Sequence, residues 1–133
     1  LHLCHVFTVD DLKYLHRGGR VSKTAAIAGS ILGIKPLLHV DNEGHLIPVG
    51  KIRGRKQSIE KLVDMMCERM GNWDNSTVAV CHGDCLSDAE YAADLMRKKL
   101  GKNTTVHLCY TGAVIGAHSG PGTLALFFMG DQR

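Results

Sequence analysis

Short apolar runs rich in β-forming residues alternate along the whole chain with runs of apolar residues at helical spacing. This alternation is typical of proteins in which helices pack on a β-sheet, because each element buries its apolar side against the other kind. One hairpin and several strand–helix connections predict a sheet with both parallel and antiparallel neighbours. We therefore expect an α/β two-layer sandwich, with a mixed sheet of about six strands and helices packed on it. The predicted strands are Leu1–Val9, Ile34–Val40, His45–Arg53, Thr77–Cys81, Thr104–Tyr110 and Thr123–Met129, and the predicted helices are a short one through Leu12 and Leu15, Ser22 to about Leu32, about Lys56 to Met70, and Ser87–Leu100.

Four local signals place boundaries within this pattern. Asp10 can cap the first helix, which then ends at Gly18-Gly19. Asp41-Asn42-Glu43-Gly44 is typical of a hairpin turn with glycine at positive φ. Pro48 favours an edge strand or a bulge, because proline has no backbone N–H to donate. Ser87-Asp88-Ala89-Glu90 has the spacing of a capping box and predicts the start of the fourth helix.

The composition is that of a globular domain and argues against several function classes. The chain has 133 residues, of which 44% are hydrophobic and 22% charged, so a single domain with its own core is expected. A formal net charge of +3 and an aromatic content of 5% do not favour a nucleic-acid partner. No apolar run approaches the roughly 18 residues of a membrane span, and the N-terminus lacks a signal-peptide pattern. We expect no stable membrane insertion and a cytoplasmic location.

The cysteines and the first residue add two expectations. Five cysteines, an odd number scattered among apolar runs, indicate reduced and mostly buried thiols instead of a disulfide framework. The chain begins at Leu1 and not at methionine, and we expect it to be a piece of a longer protein.

The segment Gly112–Gly122 is the strongest candidate for a binding site. Its four glycines and one proline predict a tight backbone passage instead of a packed helix or strand. Glycine lets backbone N–H groups approach a bound anion, and His118 can donate a hydrogen bond to a carboxylate or phosphate near neutral pH. The alternative is a plain turn before the last strand, with His118 bonded to the backbone. Ser119 is not interpreted as a nucleophile with His118 as its base, because neighbouring side chains usually point apart.

A basic cluster surrounds the turn after the first predicted helix. Arg17, Arg20 and Lys23 flank Gly18-Gly19, where an arginine can hold a carboxylate or phosphate with two hydrogen bonds. The alternative is a solvated group of cations at a helix C-terminus, where the helix dipole favours them.

A second basic segment, Lys51–Lys56, includes Arg53 and Arg55 and contains no acidic residue. It is either a solvated face or a docking surface for an acidic or phosphate-carrying partner.

Other motifs are weak or absent. Cys81-His82-Gly83-Asp84-Cys85 lacks the second ligand pair of a structural zinc site, so no metal is expected. Neither G-x-G-x-x-G nor a P-loop motif occurs, which gives no support for a bound nucleotide. No G-x-S-x-G elbow occurs either. The small apolar residues of Thr24–Leu32 allow either close packing or a slim apolar ligand.

Five segments in order resemble the C-terminal domain of DegV family proteins. They are Phe7–Leu15 (FTVDDLKYL), Gly18–Ser22 (GGRVS), Gly33–Pro36 (GIKP), Lys51–Lys56 (KIRGRK) and Gly116–Gly122 (GAHSGPG). The resemblance covers essentially the whole chain. It implies a two-domain lipid carrier whose second domain, residues 1–133 here, is a two-layer α/β unit with a six-stranded mixed sheet. The family's first domain would precede this chain and is absent from it.

The resemblance also implies a ligand and its contacts. The ligand is a long-chain fatty acid with its tail in an apolar tunnel and its carboxylate where the two domains meet. Arg20 and His118 match the family's carboxylate contacts, and Gly19, Ser119 and Gly120 complete the expected ligand-binding set. The remaining carboxylate contacts belong to the first domain. No cofactor and no catalytic residue are expected in this chain.

By the same resemblance, the chain belongs to the bacterial fatty acid kinase system. A separate kinase catalytic subunit, which holds the nucleotide and magnesium, would phosphorylate the presented carboxylate to an acyl phosphate. Arg53 and Arg55 match a basic segment near the surface that docks this kinase. Two alternatives from other classes stay open: an enzyme that holds a phosphorylated small molecule and uses His118 as general acid or base, and a regulatory interaction domain without a ligand.

Overall fold

The chain folds into a six-stranded sheet with helices against it. The computed structural model describes residues 2–22 and 33–131. The strands are β1 (Leu3–Thr8), β2 (Ile34–Val40), β3 (Leu46–Arg53), β4 (Thr77–His82), β5 (Thr105–Tyr110) and β6 (Leu124–Met129). The helices of the described residues are α1 (Lys13–Arg17), α2 (Arg55–Arg69), α3 (Leu86–Leu100) and α4 (Ala113–Ser119).

The strand order across the sheet is β3-β2-β1-β6-β4-β5. β4 and β5 run parallel, and the other neighbouring strands are antiparallel. The predicted two-layer α/β class with a mixed sheet of six strands is therefore confirmed. Thr8 pairs with Leu124, Leu124 with His82, and His82 with Tyr110. The C-terminal ends of β1, β4 and β5 and the start of β6 consequently meet at one end of the sheet, called here the Thr8 end.

The main core lies between one face of the sheet and helices α2 and α3. Alternation along β6 turns Leu124, Leu126 and Phe128 toward these helices, and each is at most 2% exposed. The opposite face carries a smaller apolar cluster formed by β1, α1 and β2, whose buried members are Phe7, Val9, Leu12, Leu15 and Leu38. The two faces are thus covered by different helices.

The β2–β3 hairpin forms as predicted. Gly44 in its turn has φ 86°, and Asp41 Oδ1 accepts the backbone N–H groups of Glu43 at 3.1 Å and His45 at 2.7 Å. β3 is an edge strand of the sheet, and the pairing of β2 with β3 shifts between Leu37 and Leu38, which face the Pro48 segment. Both expectations for Pro48, an edge position and a nearby bulge, are confirmed.

Two expected helix starts are wrong. Asp10 does not cap α1; instead Asp11 Oδ1 accepts the N–H of Lys13 at 2.8 Å, because Asp10 is turned toward Lys35 Nζ at 2.7 Å. The capping box at Ser87 does not form, since α3 already begins at Leu86 with Cys85 in the N-cap position.

The glycine-rich segment also differs from expectation. Its first half is the helix α4, so it is not a tight passage throughout. Ala113–Ser119 has two helix-breaking neighbours, Gly112 and Gly120, which serve as the caps. The predicted helix Ser22–Leu32 and the cation Lys23 lie outside the described residues, apart from Ser22 itself. Within residues 2–22 and 33–131, no helix combines the length and apolarity needed to cross a bilayer.

None of the five cysteines forms a disulfide, as expected, but only Cys4 is fully buried and Cys109 is exposed. Cys81 and Cys109 are register partners on β4 and β5. The pKa of Cys81 is raised to about 12. Burial is the larger cause, and the hydrogen bond with the Cys109 thiol is the next. A thiol with so high a pKa is a poor nucleophile at neutral pH.

Candidate functional site

Helices α1 and α4 lie side by side at the Thr8 end of the sheet. The backbone of Gly18, at the C-terminus of α1, touches the imidazole of His118. A Cβ at Gly18 would overlap Nδ1 of that ring and lie 3.1 Å from its Cγ. Gly120 likewise faces Tyr14, because a Cβ at Gly120 would lie 2.6–2.9 Å from three carbons of the tyrosine ring. The two segments that the sequence singled out separately are therefore in direct contact.

Arg20 also contacts Gly18. Its guanidinium turns back and donates from Nη1 to the carbonyl of Gly18. The turn is held by backbone bonds from Gly18 N–H to Tyr14 O at 3.0 Å and from Arg20 N–H to Leu15 O at 2.8 Å, with Gly19 at φ 73°. Since Gly18 contacts both the guanidinium and the imidazole of His118, these two cationic or donor groups lie close together. Arg20 is exposed and His118 is half-buried.

Ser119 and Gly120, the other expected ligand contacts on α4, are both buried. The Ser119 hydroxyl donates to Ile115 O at 2.9 Å, one helical turn earlier. Gly120 O accepts the hydroxyl of Thr123 at 2.7 Å. In this conformation the serine hydroxyl is used inside the helix. Whether Gly19, Ser119 and Gly120 contact a ligand stays a prediction.

The loop after α4 is packed against two other loops at the same end of the sheet. Gly122 N–H donates to Gly83 O at 2.7 Å, and Gly83 N–H donates to Thr123 O at 2.8 Å. A Cβ at Gly122 would lie 3.0 Å from Cβ of Asp10 and closer still to its carboxylate. The glycines were expected to admit an anion, but in this structure Gly120 and Gly122 admit parts of the chain itself.

The two arginines of the second basic segment have different surroundings. Arg53, at the end of β3, is exposed. Arg55, the first residue of α2, points inward and has a side chain only 20% exposed. Its Nε donates to Asp88 Oδ2 at 2.8 Å, and its Nη1 lies 3.7 Å from Asp10 Oδ1. Arg55 is therefore held by carboxylates of its own chain, and docking by these arginines stays a prediction.

Side chains of the weak zinc motif Cys81–Cys85 form hydrogen bonds within the chain. His82 is 1% exposed, and its Nδ1 accepts the N–H of Cys85 at 3.3 Å. The Cys85 thiol donates to Thr123 O at 3.3 Å. Among the described residues, one group of three possible metal ligands converges, Asp41, Glu43 and His45. This group is the exposed hairpin turn, where the hydrogen bonds of the turn already account for the position of Asp41.

Apolar side chains next to His118 are left exposed in the described part of the chain. Val114 and Ile115 of α4 are 74% and 61% exposed, and Tyr110, which ends β5, is 72% exposed. Neighbouring apolar residues with this exposure commonly mark a surface that binds something else.

The sequence indicated no role for Tyr14 and, for Asp10, only that of a helix cap. Tyr14 is four residues before Gly18, so both lie on one face of α1, and this spacing could have indicated that the tyrosine shares the contact with α4. Nothing in the local sequence of Asp10 shows its contact with Gly122, because that contact arises from strand order.

Comparison with known proteins adds to this geometry. Residues 2–131 match the model of a family described as "Uncharacterised protein, DegV family". The chain is 46% identical over 131 residues to a DegV domain-containing protein of Clostridium perfringens, covering 98% of this chain and 45% of that protein. It thus spans about half the length of the curated relatives it matches.

Two solved structures are similar along nearly the whole chain. The crystal structure of DegV from Bacillus subtilis, described as a fatty acid binding protein, has a TM-score of 0.73 and 34% identity, and the match covers 98% of this chain and 45% of that one. A fatty acid binding DegV family protein from Streptococcus agalactiae has a TM-score of 0.82 and 29% identity, with coverage of 98% and 45%. The family model matches nearly the whole chain, which shows that this chain belongs to the DegV family.

Proposed function

We propose that this chain binds a long-chain fatty acid and holds its carboxylate between Arg20 and His118. The observation that carries the proposal is the contact of one residue, Gly18, with both the guanidinium and the imidazole. A carboxylate is costly to bury unless it is paired and hydrogen-bonded. An arginine fork together with a histidine donor supplies both the charge and the hydrogen bonds. The fatty acid binding named for the Bacillus subtilis and Streptococcus agalactiae proteins supports the same ligand class.

The acyl tail requires only an apolar channel, and each buried methylene contributes about 0.8 kcal/mol. The exposed side chains of Tyr110, Val114 and Ile115 are the proposed contact with a first domain of the longer protein, which closes the site over the carboxylate. Cysteines that form no disulfide suit the proposed cytoplasmic location, where thiols stay reduced.

In this proposal the chain is a carrier and performs no chemistry. A separate kinase, which holds the nucleotide, phosphorylates the presented carboxylate. Arg53 is exposed at the end of β3 and supplies positive charge for docking, which suits an acidic or phosphate-carrying partner. The ion pairs of Arg55 with Asp10 and Asp88 leave that residue poorly placed for the same task.

The ligand is tested with the intact protein from which this chain comes. Mass spectrometry of its organic extract should reveal a co-purified fatty acid. Arg20→Ala and His118→Ala should each weaken fatty acid binding at least tenfold, since each removes a carboxylate partner. Lys98→Ala on α3 and His45→Ala in the β2–β3 turn, which remove the same kinds of charge away from the Thr8 end, should leave binding unchanged. Unchanged affinity in both site variants would contradict the assignment.

Kinase docking has its own test. Arg53→Ala should lower the rate of acyl phosphate formation by the partner kinase at a fixed carrier concentration and leave fatty acid affinity unchanged. The exposed Lys102, in the turn before β5, is a matched cation for a control. Weakened lipid binding in Arg53→Ala would place this arginine in the pocket and not in the docking surface.

A further inference from the structure

Arg55 lies where three loops at the Thr8 end of the sheet come together. Its guanidinium reaches Asp88 in the first turn of α3 at 2.8 Å and Asp10 in the β1–α1 connection at 3.7 Å. Its Nη2 also donates to the Cys85 thiol at 3.6 Å, which in turn donates to Thr123 O at 3.3 Å in the loop after α4. Arg55 thus contacts the segments before α1 and before α3 directly, and the segment after α4 through the Cys85 sulfur.

The charges around Arg55 balance within the chain. Arg55 and Lys35 are the two cations, and Asp10 and Asp88 are the two carboxylates, with Lys35 Nζ 2.7 Å from Asp10. The side chains of both cations are about four-fifths buried, with 20% and 19% exposed. Because this group is already neutral and partly removed from water, it offers little attraction to an outside anion.

The same group is connected to both halves of the candidate site. Asp10 lies three residues before α1, the helix that leads to Arg20. Asp10 also lies directly against Gly122, four residues after His118. A shift of Asp10 would therefore move the start of α1 and the end of the α4 loop relative to each other.

We propose that Arg55 is a positioning residue for the carboxylate site. By holding Asp10 and, through Cys85, the Thr123 carbonyl, it sets the separation of α1 and α4, and with it the separation of Arg20 and His118. This inference rests on the proposed fatty acid binding. It assigns Arg55 a role inside the carrier in place of docking on its surface.

The test compares Arg55→Met with a matched variant in the intact protein. Arg55→Met keeps the length of the side chain and removes the fork and the charge. It should weaken fatty acid binding at least tenfold, and in the lipid-free protein it should increase amide hydrogen exchange in residues 14–20 and 120–123. Lys99→Met removes an ion pair between the last turn of α3 and Asp64 of α2, at the opposite end of α3 from Asp88, and should change neither quantity.

Two further variants separate positioning from general destabilisation. Arg55→Lys restores the charge without the fork and should recover part of the lost affinity. Adding Asp10→Asn to Arg55→Met should weaken binding by less than the product of the two single effects, because the two residues act through one contact. If Arg55→Met does not fold, the same coupling is measured with Arg55→Lys and Asp10→Asn, tested singly and combined.

The outcomes distinguish this inference from the proposed function. A wild-type protein that binds no fatty acid would refute the proposed function, while the exchange experiment would still test the role of Arg55. Unchanged affinity and unchanged exchange in Arg55→Met would overturn the inference alone. Reduced kinase turnover with normal lipid affinity and normal exchange would also overturn it and would return Arg55 to the docking surface.

Discussion

Gly18 shows how a single missing side chain can join two parts of a site. Its φ of −77° is open to any residue, so its backbone conformation does not require glycine. The requirement comes from the imidazole of His118, which occupies the space that a Cβ would fill. Gly116, inside α4, is different, since no atom lies within 4 Å of a Cβ placed there. Glycine is thus required at position 18 by the close approach of His118, and no such contact requires it at position 116.

This contrast predicts opposite effects of two identical substitutions. Gly18→Ala should lower the free energy of unfolding by about 1–3 kcal/mol, because the added methyl must displace His118 or α1. Gly116→Ala should raise it by about 0.5–1 kcal/mol, because alanine is the better residue in a helix interior. Urea denaturation measures both. Equal tolerance of the two changes would show that the contact between Gly18 and His118 is not maintained in solution.

Helix α1 is too short to be stable on its own. It has five residues, whereas isolated helices below about 12 residues are marginal in water. Leu15, which is 2% exposed, anchors it to the sheet, and Asp11 closes its first turn through the N–H of Lys13. Tertiary contacts and capping therefore hold the helix that presents Arg20.

The Asp11 carboxylate makes the contribution of α1 to stability depend on pH. Partial burial raises the pKa of Asp11, but the hydrogen bonds and the charge of Lys13 outweigh it, so the pKa lies below the usual 3.8. A lowered pKa stabilises the folded state above the unfolded pKa, and this contribution is lost as the pH falls through the folded pKa. Asp11→Asn keeps the acceptor oxygen and removes the charge, so it should cost about 0.3–1 kcal/mol at pH 7.

The difference in the free energy of unfolding between Asp11→Asn and wild type should shrink below about pH 4 and disappear at lower pH. Denaturation at several pH values measures it. Asp94→Asn on α3 is the control, since its ion pair with Arg97 is largely exposed and contributes little. A difference that stays constant down to pH 2 would argue against the carboxylate as the cap.

Among the described residues, most of the buried apolar side chains lie on one face of the sheet. The core between the sheet and helices α2 and α3 holds most of the buried apolar residues, and the central strand β6 contributes Leu126 with 0% exposure. The edge strand β5 contributes Leu108, which is 39% exposed. Among residues 2–22 and 33–131, the face that carries α1 has the smaller of the two buried clusters.

This distribution predicts where a cavity is costly. Leu126→Ala should lower the free energy of unfolding by about 2–5 kcal/mol, because the surrounding core cannot close over the lost atoms. Leu108→Ala removes the same atoms at the edge and should cost less than about 1 kcal/mol. Denaturant titration of both variants checks the ranking, and similar losses would mean that Leu108 is covered in solution.

Much of the fold could be predicted from the sequence because its signals are local. The six strands, the helices α2 and α3 and the β2–β3 hairpin follow from spacing and turn residues within a few positions of each other. Failures occurred where a local pattern competes with a distant contact. Asp10 has the right position to cap α1, but Lys35 attracts its carboxylate. Ser87 fits a capping box, but α3 starts earlier because Cys85 is held by His82.

The sequence by itself determined the α/β class, the six strands, the helices α1, α2 and α3, and two segments with the residue types for holding an anion. Only the tertiary structure decided that Gly18 touches His118, that Gly122 lies on Asp10, and that Arg55 pairs with Asp88, 33 residues further along the chain. These contacts depend on β1, β6 and β4 lying side by side. Strand order is set by the burial of the whole sheet, and no short stretch of residues encodes it.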